Sequence, residues 1–343
     1  FMKALKLSSD KTISLVEIDE PIIKDKEILI NLGSCGICGS DLRNVFADSC
    51  KPTSKLGHEI TGTIVKVGKS FNGKNYEGKR VFVNHHAPCN SCHYCIHGNE
   101  TMCDKFTDNI FPCGISEKII LSEWIVNNQS IFELPDSLSF EEGSMIEPLA
   151  CCIRGWKKIP FVKGDSVLIF GIGPIGILHA MLAKIYGASA IYCIDINHNK
   201  VNFCKKMNLG ICVDGRTSEI ESLIDLNDKL RPDLIIIATS DMSVLRKSVD
   251  IIRKGGTILI FGEPQKEINV NVDINKIYSK EVRIKTTYAA TNKEIHEALH
   301  MITKKEIDVN KIITHRYSIL ESKDAFKKVH DRTDVIKAII INK

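Results

Sequence analysis

The rhythm of apolar positions changes once along the chain, near Pro148. Before it, Met2–Leu7, Ile13–Ile18, Ile28–Leu32, Thr61–Val67 and Arg80–Asn84 read as short strands separated by Gly, Pro and Asn. Little of this stretch keeps a helical period, so the pattern predicts an irregular β-rich domain. From Val167 onward, near-continuous apolar runs alternate with longer amphipathic segments. Val167–Phe170, Ile191–Ile194, Leu234–Ala238 and Thr257–Phe261 read as strands, and Ile175–Tyr186, Lys200–Met207 and Val244–Arg253 as helices between them. Strands without a polar face, joined by amphipathic helices, predict an α/β unit with a parallel sheet covered on both sides. Glu294–Ile302 reads as a further helix and Asp334–Ile341 as a closing strand. No linker, repeat or low-complexity stretch divides the two textures.

Composition narrows this picture. A chain of 343 residues, 43% hydrophobic and 26% charged, is ordinary for globular protein and long enough for about two domains. The net charge of +4 comes from interleaved signs, not the concentrated basic face that nucleic acid requires. No apolar run approaches the roughly 18 residues of a membrane span, and no signal-peptide core is visible, so the expectation is a cytoplasmic protein. The thirteen cysteines are unusual. An odd number without a secretory signal argues against a disulfide framework and for thiolates bound to metal.

The run Val167-Leu-Ile-Phe-Gly171-Ile-Gly173-Pro174-Ile175-Gly176 joins an apolar strand to a helix. Gly-x-Gly-x-x-Gly alone is a weak signal, but this context gives each glycine a task. Gly171 permits the tight turn, Gly173 lets backbone approach a pyrophosphate, and Gly176 allows close helix–strand packing. Free N–H groups at the helix start favour phosphate charge, and Pro174 suits the first helical turn. The next strand ends at Asp195, nineteen residues after Gly176. A carboxylate there accepts ribose hydroxyls and repels a 2′-phosphate, which predicts NAD over NADP. Lys200, one turn into the next helix, could brace the same ribose.

Two sets of residues suggest metal. Cys89, Cys92, Cys95 and Cys103 form C-x2-C-x2-C-x7-C, four thiolates that can enclose a structural zinc. The loop His93–Met102 has no Lys or Arg, which argues against a nucleic-acid zinc ribbon. The second set is dispersed: Cys38 in Cys35-Gly-Ile-Cys38-Gly-Ser40-Asp41, then Gly57-His58-Glu59, then Glu147-Pro-Leu-Ala. A thiolate, an imidazole and a carboxylate can bind zinc and leave a position open, as Lewis-acid chemistry needs. Cys35 is an alternative ligand.

These motifs, in this order, resemble the zinc-dependent medium-chain dehydrogenase/reductase superfamily, nearest to its sorbitol and L-threonine dehydrogenase branch. Thr314-His315-Arg316 followed by Ala325-Phe326 is also similar to polyol-oxidising relatives. The resemblance spans essentially the whole chain. It implies a GroES-like catalytic domain from residues 1–150 and 289–343, with a structural-zinc lobe at about 86–104. It also implies an NAD-binding Rossmann domain at 151–288 and an active site in the cleft between the domains. Cys38 and His58 would ligate a catalytic zinc, with Glu59 and Glu147 close by and Asp41 orienting His58. Thr239, Phe261, Gly262 and Tyr288 would join the glycine turn around the cofactor.

The implied activity is hydride transfer between NAD and a secondary alcohol or ketone, with two zinc ions per subunit and Ser40 passing the hydroxyl proton. A polyol or sugar is the expected substrate, in a homo-oligomer, a tetramer rather than a dimer. L-threonine or a sugar phosphate is the alternative, and a non-catalytic NADH-binding relative is more remote. Two positions depart from the family pattern. Arg43 stands where many relatives carry a relay histidine, and Arg does not titrate usefully. Ala289 and Ala290 fall where sorbitol-oxidising members carry Arg and Tyr, which argues for a roomier, less polar pocket.

Overall fold

The computed structural model describes residues 1–10, 12–46, 56–71, 75–108, 114–217, 231–331 and 334–342. The chain divides into two compact units, one made of Phe1–Ala150 with Ala290–Lys343, the other of Cys151–Ala289.

In the first unit β1 (Met2–Leu7) pairs antiparallel with β2 (Ile13–Ile18). The larger sheet contains β3 (Ile28–Gly36), β4 (Glu59–Val67), β5 (Arg80–Val83), β6 (Lys118–Leu121) and β7 (Ile131–Glu133). It is completed by β14 (Ile313–Ser318) and β15 (Lys337–Ile341), so both ends of the chain build it. The strand order is β14-β15-β3-β4-β5-β7, with β6 also pairing with β3. Leu5, Ile30, Ile60, Leu121 and Phe326 are fully buried in its core. Each such side chain contributes roughly 1.5–3 kcal/mol of transfer free energy.

Two features of this unit differ from the pattern-based expectation. Strand β3 continues past Leu32 through small and polar residues, pairing Ser34 with Thr61, Cys35 with Ile60 and Gly36 with Glu59. The Ser34 and Thr61 hydroxyls lie 2.9 Å apart, and both donate to the Phe140 carbonyl, at 2.7 and 3.0 Å. Buried polar groups satisfied in this way extend a strand where an apolar alternation stops. The unit also holds helices that the weak periodicity concealed: α1 (Gly39–Phe46), α2 (His93–Ile96), α3 (Asp104–Asp108), α4 (Glu123–Asn127) and α5 (Phe140–Ser144). A further helix, α6 (Ile146–Lys157), begins here. Helix α5 survives its glycine because Ser139 and Glu142 form a reciprocal capping box, at 3.1 and 2.9 Å. The closing strand starts at Lys337 rather than Asp334.

The second unit is a six-stranded sheet in which every neighbouring pair is parallel. It comprises β8 (Ser166–Phe170), β9 (Ala190–Asp195), β10 (Ile211–Asp214), β11 (Leu234–Ile237), β12 (Thr257–Ile260) and β13 (Arg283–Thr286). The order β10-β9-β8-β11-β12-β13 starts at the centre, runs to one edge and then to the other. That is the doubly wound Rossmann arrangement, whose direction reverses between β8 and β11. Every residue of β8 and β11 is buried, which explains their uninterrupted apolar sequences. Helices α7 (Pro174–Ile185) and α8 (His198–Lys206) follow β8 and β9, and a further helix spans Val244–Ile251. Strand β13 was not apparent from sequence: Arg-Ile-Lys-Thr is exposed throughout and is placed by its pairing with β12 and by Arg283 donating to the Gly255 carbonyl at 2.7 Å. Among the described residues, no helix is long and apolar enough to cross a membrane.

Candidate metal centres and nucleotide site

The first centre is assembled by the end of β3, the start of α1 and the start of β4. Asp41, buried on the first turn of α1, accepts from Cys38 N at 3.1 Å and from Gly57 N at 3.0 Å. Its Oδ1 lies 3.4 Å from His58 Nδ1, which leaves Nε2 as the free donor of that ring. Gly57 has φ +83, and a Cβ there would stand 2.7 Å from Cys35 Sγ, so the turn presenting His58 requires glycine. Burial works against charge on His58, yet Asp41 and Cys38 push the ring well above its ordinary pKa. Burial likewise opposes the Asp41 carboxylate, but His58 and the two backbone donors hold it below its usual range.

Donor atoms of Cys38, His58 and Glu59 all lie within 4.8 Å of one another. This is the open set of sulfur, nitrogen and oxygen donors that suits a zinc with a free coordination position. Glu147, buried on the first turn of α6, is outside that mutually close group, although its charge acts on Glu59. Cys35 is also outside it, and its Sγ is turned to the Gly36 carbonyl at 3.6 Å. Ser40 and Arg43 are half-buried on α1.

Sequence reasoning missed three buried residues at this centre. Lys337, the first residue of β15, donates to Glu59 Oε1 at 2.6 Å and to the Ile37 carbonyl at 3.0 Å, and also contacts Glu59 Oε2. Burial disfavours the ammonium, but Glu59 holds its pKa above the ordinary value. Burial pushes the Glu59 carboxyl upward, Lys337 opposes this, and Glu147 adds to it. A lone Lys heading the apolar run Ala338–Ile341 was the available signal. The other two are His85 and His86, which follow β5. Its Val83 pairs with Ile60, so the chain emerges beside His58. The ring centroids of His85 and His58 are 4.7 Å apart, and those of His85 and His86 are 3.8 Å apart. Burial lowers both imidazoles, His86 to about 3, so both are neutral at physiological pH.

The four-cysteine lobe is more compact. Sulfurs of Cys89, Cys92, Cys95 and Cys103 lie within 4.8 Å of one another, with Cys92–Cys95 at 3.5 Å and Cys89–Cys95 at 4.0 Å. Tetrahedral zinc with bonds of about 2.3 Å requires sulfurs about 3.8 Å apart, so the set fits a closed structural ion. Backbone N–H groups of Cys92 and Cys89 point at the sulfurs of Cys89 and Cys103, at 3.3 and 3.4 Å. Hydrogen bonds from Ser91 lower the Cys89 thiol to about 6, which favours the thiolate that a metal needs.

In the second unit the glycine turn links β8 to α7. Gly171 has φ +90, and a Cβ on Gly176 would stand 1.8 Å from the Gly171 carbonyl oxygen. At Gly173 the space is open, with only Lys200 Nζ nearby, 3.9 Å from a Cβ placed there. Pro174 is the first residue of α7 and Ile175 the second. Asp195 ends β9 and accepts from Ile172 N at 2.7 Å and Asn197 N at 2.8 Å, which fixes its carboxylate beside the turn. Thr239 follows β11, and a Cβ on Gly262 would meet its carbonyl at 2.1 Å. Phe261 packs edge-on against His179 at 4.6 Å, and Tyr288 is exposed.

Residues 24–136 match the alcohol dehydrogenase GroES-like domain, and residues 174–304 match the zinc-binding dehydrogenase family. The chain belongs to the zinc-dependent medium-chain dehydrogenase/reductase superfamily. It is 29% identical over 331 residues to a probable D-xylulose reductase A of Aspergillus fumigatus, covering 91% of this chain and 89% of that protein. It is 29% identical over 333 residues to sorbitol dehydrogenase of Bombyx mori, covering 94% and 93%. The structure of galactitol-1-phosphate dehydrogenase from Escherichia coli shares the fold, with a TM-score of 0.86 at 23% identity over 99% of this chain and 100% of that one. The doubly wound sheet and the two-ended β unit are therefore those of a medium-chain dehydrogenase.

Proposed function

We propose that this protein is an NAD-linked, zinc-dependent dehydrogenase that interconverts a secondary alcohol, of polyol or sugar type, and its ketone. The observation that carries this reading is the convergence of Cys38, His58 and Glu59 in a chain that also folds a doubly wound nucleotide sheet. Zinc at that centre supplies Lewis acidity towards an alcohol hydroxyl, and NAD supplies the hydride acceptor.

The residues of the chain do the rest. Asp41 fixes the His58 ring and tautomer, and Lys337 tethers the Glu59 carboxylate. Ser40, two residues after Cys38, receives the hydroxyl proton and passes it on. Arg43 cannot relay it onward, so the proton leaves Ser40 through water. The glycine turn and the N-terminus of α7 hold the pyrophosphate, and Asp195 with Lys200 holds the adenosine ribose. Thr239, Phe261, Gly262 and Tyr288 line the remaining cofactor surface. The preference for NAD over NADP rests on the Asp195 carboxylate repelling a 2′-phosphate. Residues 1–150 and 289–343 form the catalytic domain and 151–288 the cofactor domain.

The names of the curated relatives, a D-xylulose reductase and a sorbitol dehydrogenase, support a polyol or sugar substrate. Ala289 and Ala290 support a less polar pocket than sorbitol requires. A phosphorylated sugar is the second reading, favoured by half-buried Arg43 on the helix that carries Ser40. The protein would act in the cytoplasm as a homo-oligomer, a tetramer. The exposed edge strand β13, with Tyr278 and Ile284 also exposed, supports self-association. An NAD-reduction screen over polyols, secondary alcohols, L-threonine and sugar phosphates tests the reading on protein of measured zinc content. Turnover with a neutral polyol or secondary alcohol supports the first reading and turnover only with phosphorylated sugars the second. No turnover on zinc-replete protein refutes both.

A further inference from the structure

A further group of metal-binding side chains converges among the described residues, this time of sulfurs within the second unit. It consists of Cys193 on β9, Cys204 on α8 and Cys212 on β10, with their Sγ atoms all within 4.8 Å of one another. The convergence follows from local structure. Strands β9 and β10 pair in parallel with Cys212 opposite Cys193, so both side chains leave the same face of the sheet. Helix α8, which joins those strands, packs on that face and delivers Cys204 between them. All three residues are buried, Cys212 the least so at 4% exposure.

We propose that Cys193, Cys204 and Cys212 form a trigonal, all-sulfur binding site for a cuprous ion. Metal–sulfur bonds of about 2.3 Å in a plane place three sulfurs about 4.0 Å apart, within the observed spread. Among the described residues the convergent group has no fourth metal-binding side chain, and burial denies it the water that would complete a zinc tetrahedron. Soft thiolates without nitrogen or oxygen partners select copper(I) among the common biological cations. The three sulfurs are enclosed between the paired strands and the helix that joins them, with Val201 of α8 buried on the same helix as Cys204. Binding of the ion releases thiol protons. Occupancy would tie the edge strand β10 to β9 and α8, so it would also stiffen one margin of the sheet.

The test uses zinc-replete protein titrated anaerobically with copper(I) against a competing copper(I) chelator, followed by elemental analysis and copper K-edge X-ray absorption. The expected result is one copper per subunit, unchanged zinc, and three sulfur neighbours at about 2.3 Å. Cys204→Ala and Cys212→Ser each lose that equivalent. Cys152→Ala, at a buried cysteine of the same unit outside the cluster, keeps it. Zinc release in step with copper uptake would assign the copper to the zinc lobe and overturn the proposal. Copper retained by Cys204→Ala would overturn it too, as would failure to hold copper against the chelator, which would make the cluster ordinary packing. The sulfur count and zinc content are read on unmodified protein, so they decide the matter even if a variant does not fold.

Discussion

Replacing Lys337 with Met keeps the length and apolar stem of the side chain and removes the charge that faces Glu59. Lys337 and Glu59 are 2% and 1% exposed, so water cannot take the place of the ammonium. With zinc removed from the centre, the variant strands the Glu59 carboxylate and frees the Ile37 carbonyl that Lys337 reached at 3.0 Å. Breaking a buried ion pair from one side costs about 3–5 kcal/mol, because the remaining charge keeps its desolvation penalty. For a unit of this size that corresponds to a fall in Tm of roughly 6–20 °C.

The pH dependence follows from the sign of the shift. Without Lys337 the folded-state pKa of Glu59 rises further above the unfolded value of about 4.3. The folded state then binds the proton more tightly than the unfolded one, so stability declines as pH rises from about 4 through that raised pKa. Thermal and urea unfolding of wild type, Lys337→Met, Glu59→Gln and the double variant, at several pH values, measures the effect. The deficit of Lys337→Met should grow with pH, and the double variant should recover part of it. A loss below about 1 kcal/mol with no pH dependence would place the pair among ordinary surface salt bridges and refute the reasoning.

Other expected outcomes follow from the same geometry. Asp195→Ala should weaken NAD and narrow the gap to NADP, and an unchanged ratio of the two kcat/KM values would remove Asp195 from the ribose site. Gly176→Ala should destabilise the second unit by roughly 3 kcal/mol, because its Cβ meets the Gly171 carbonyl at 1.8 Å. Gly173→Ala, in open space, should melt like wild type yet bind NADH less tightly, which calorimetry and cofactor fluorescence separate. Asp233 accepts from Ser166 N and Oγ at 2.7 and 2.8 Å and contacts Arg253; against the cost of burial, these hold its carboxyl below the usual value. Asp233→Asn should therefore cost roughly 1.5–3 kcal/mol at pH 7. A depressed folded-state pKa stabilises above the unfolded value of about 3.9 and is lost as pH falls through the folded one, so the gap between the two proteins should close progressively as pH falls below the unfolded value.

Much of the architecture could be read from periodicity because burial is one-sided or complete where the strands are regular. Strands β1 and β2 match their apolar alternation, and β8 and β11 appear as unbroken apolar runs because helices cover both faces. The spacing of the four cysteines likewise anticipates their convergence, since each C-x2-C step is a single turn. Other features depend on distant partners that local pattern does not encode. The last turns of β3 are small and polar because Thr61 and the Phe140 carbonyl satisfy Ser34. Strand β13 has no apolar signature because it is an exposed edge strand paired with β12. Helix α1 is only eight residues long, with Leu42 and Val45 alone turned to the core and Asp41 anchoring its first turn, so its apolar period is too brief to stand out. At the candidate catalytic centre, motif order named Cys38, His58, Glu59 and Glu147, but the structure draws in Glu59 ahead of Glu147 and adds Lys337 from the far end of the chain. A partner 278 residues away leaves no mark on local sequence beyond a charge at the head of an apolar strand.

We propose that a thiol ahead of α1 and the adjacent imidazole and carboxylate at the start of β4 hold a second, catalytic zinc. Elemental analysis of wild type and Cys38→Ser, paired with NADH binding and turnover on the same samples, tests it most directly. The account predicts two zinc ions per subunit in wild type and one in Cys38→Ser, with turnover abolished and NADH affinity unchanged. One zinc in both proteins after reconstitution, or sustained turnover in Cys38→Ser, would contradict it.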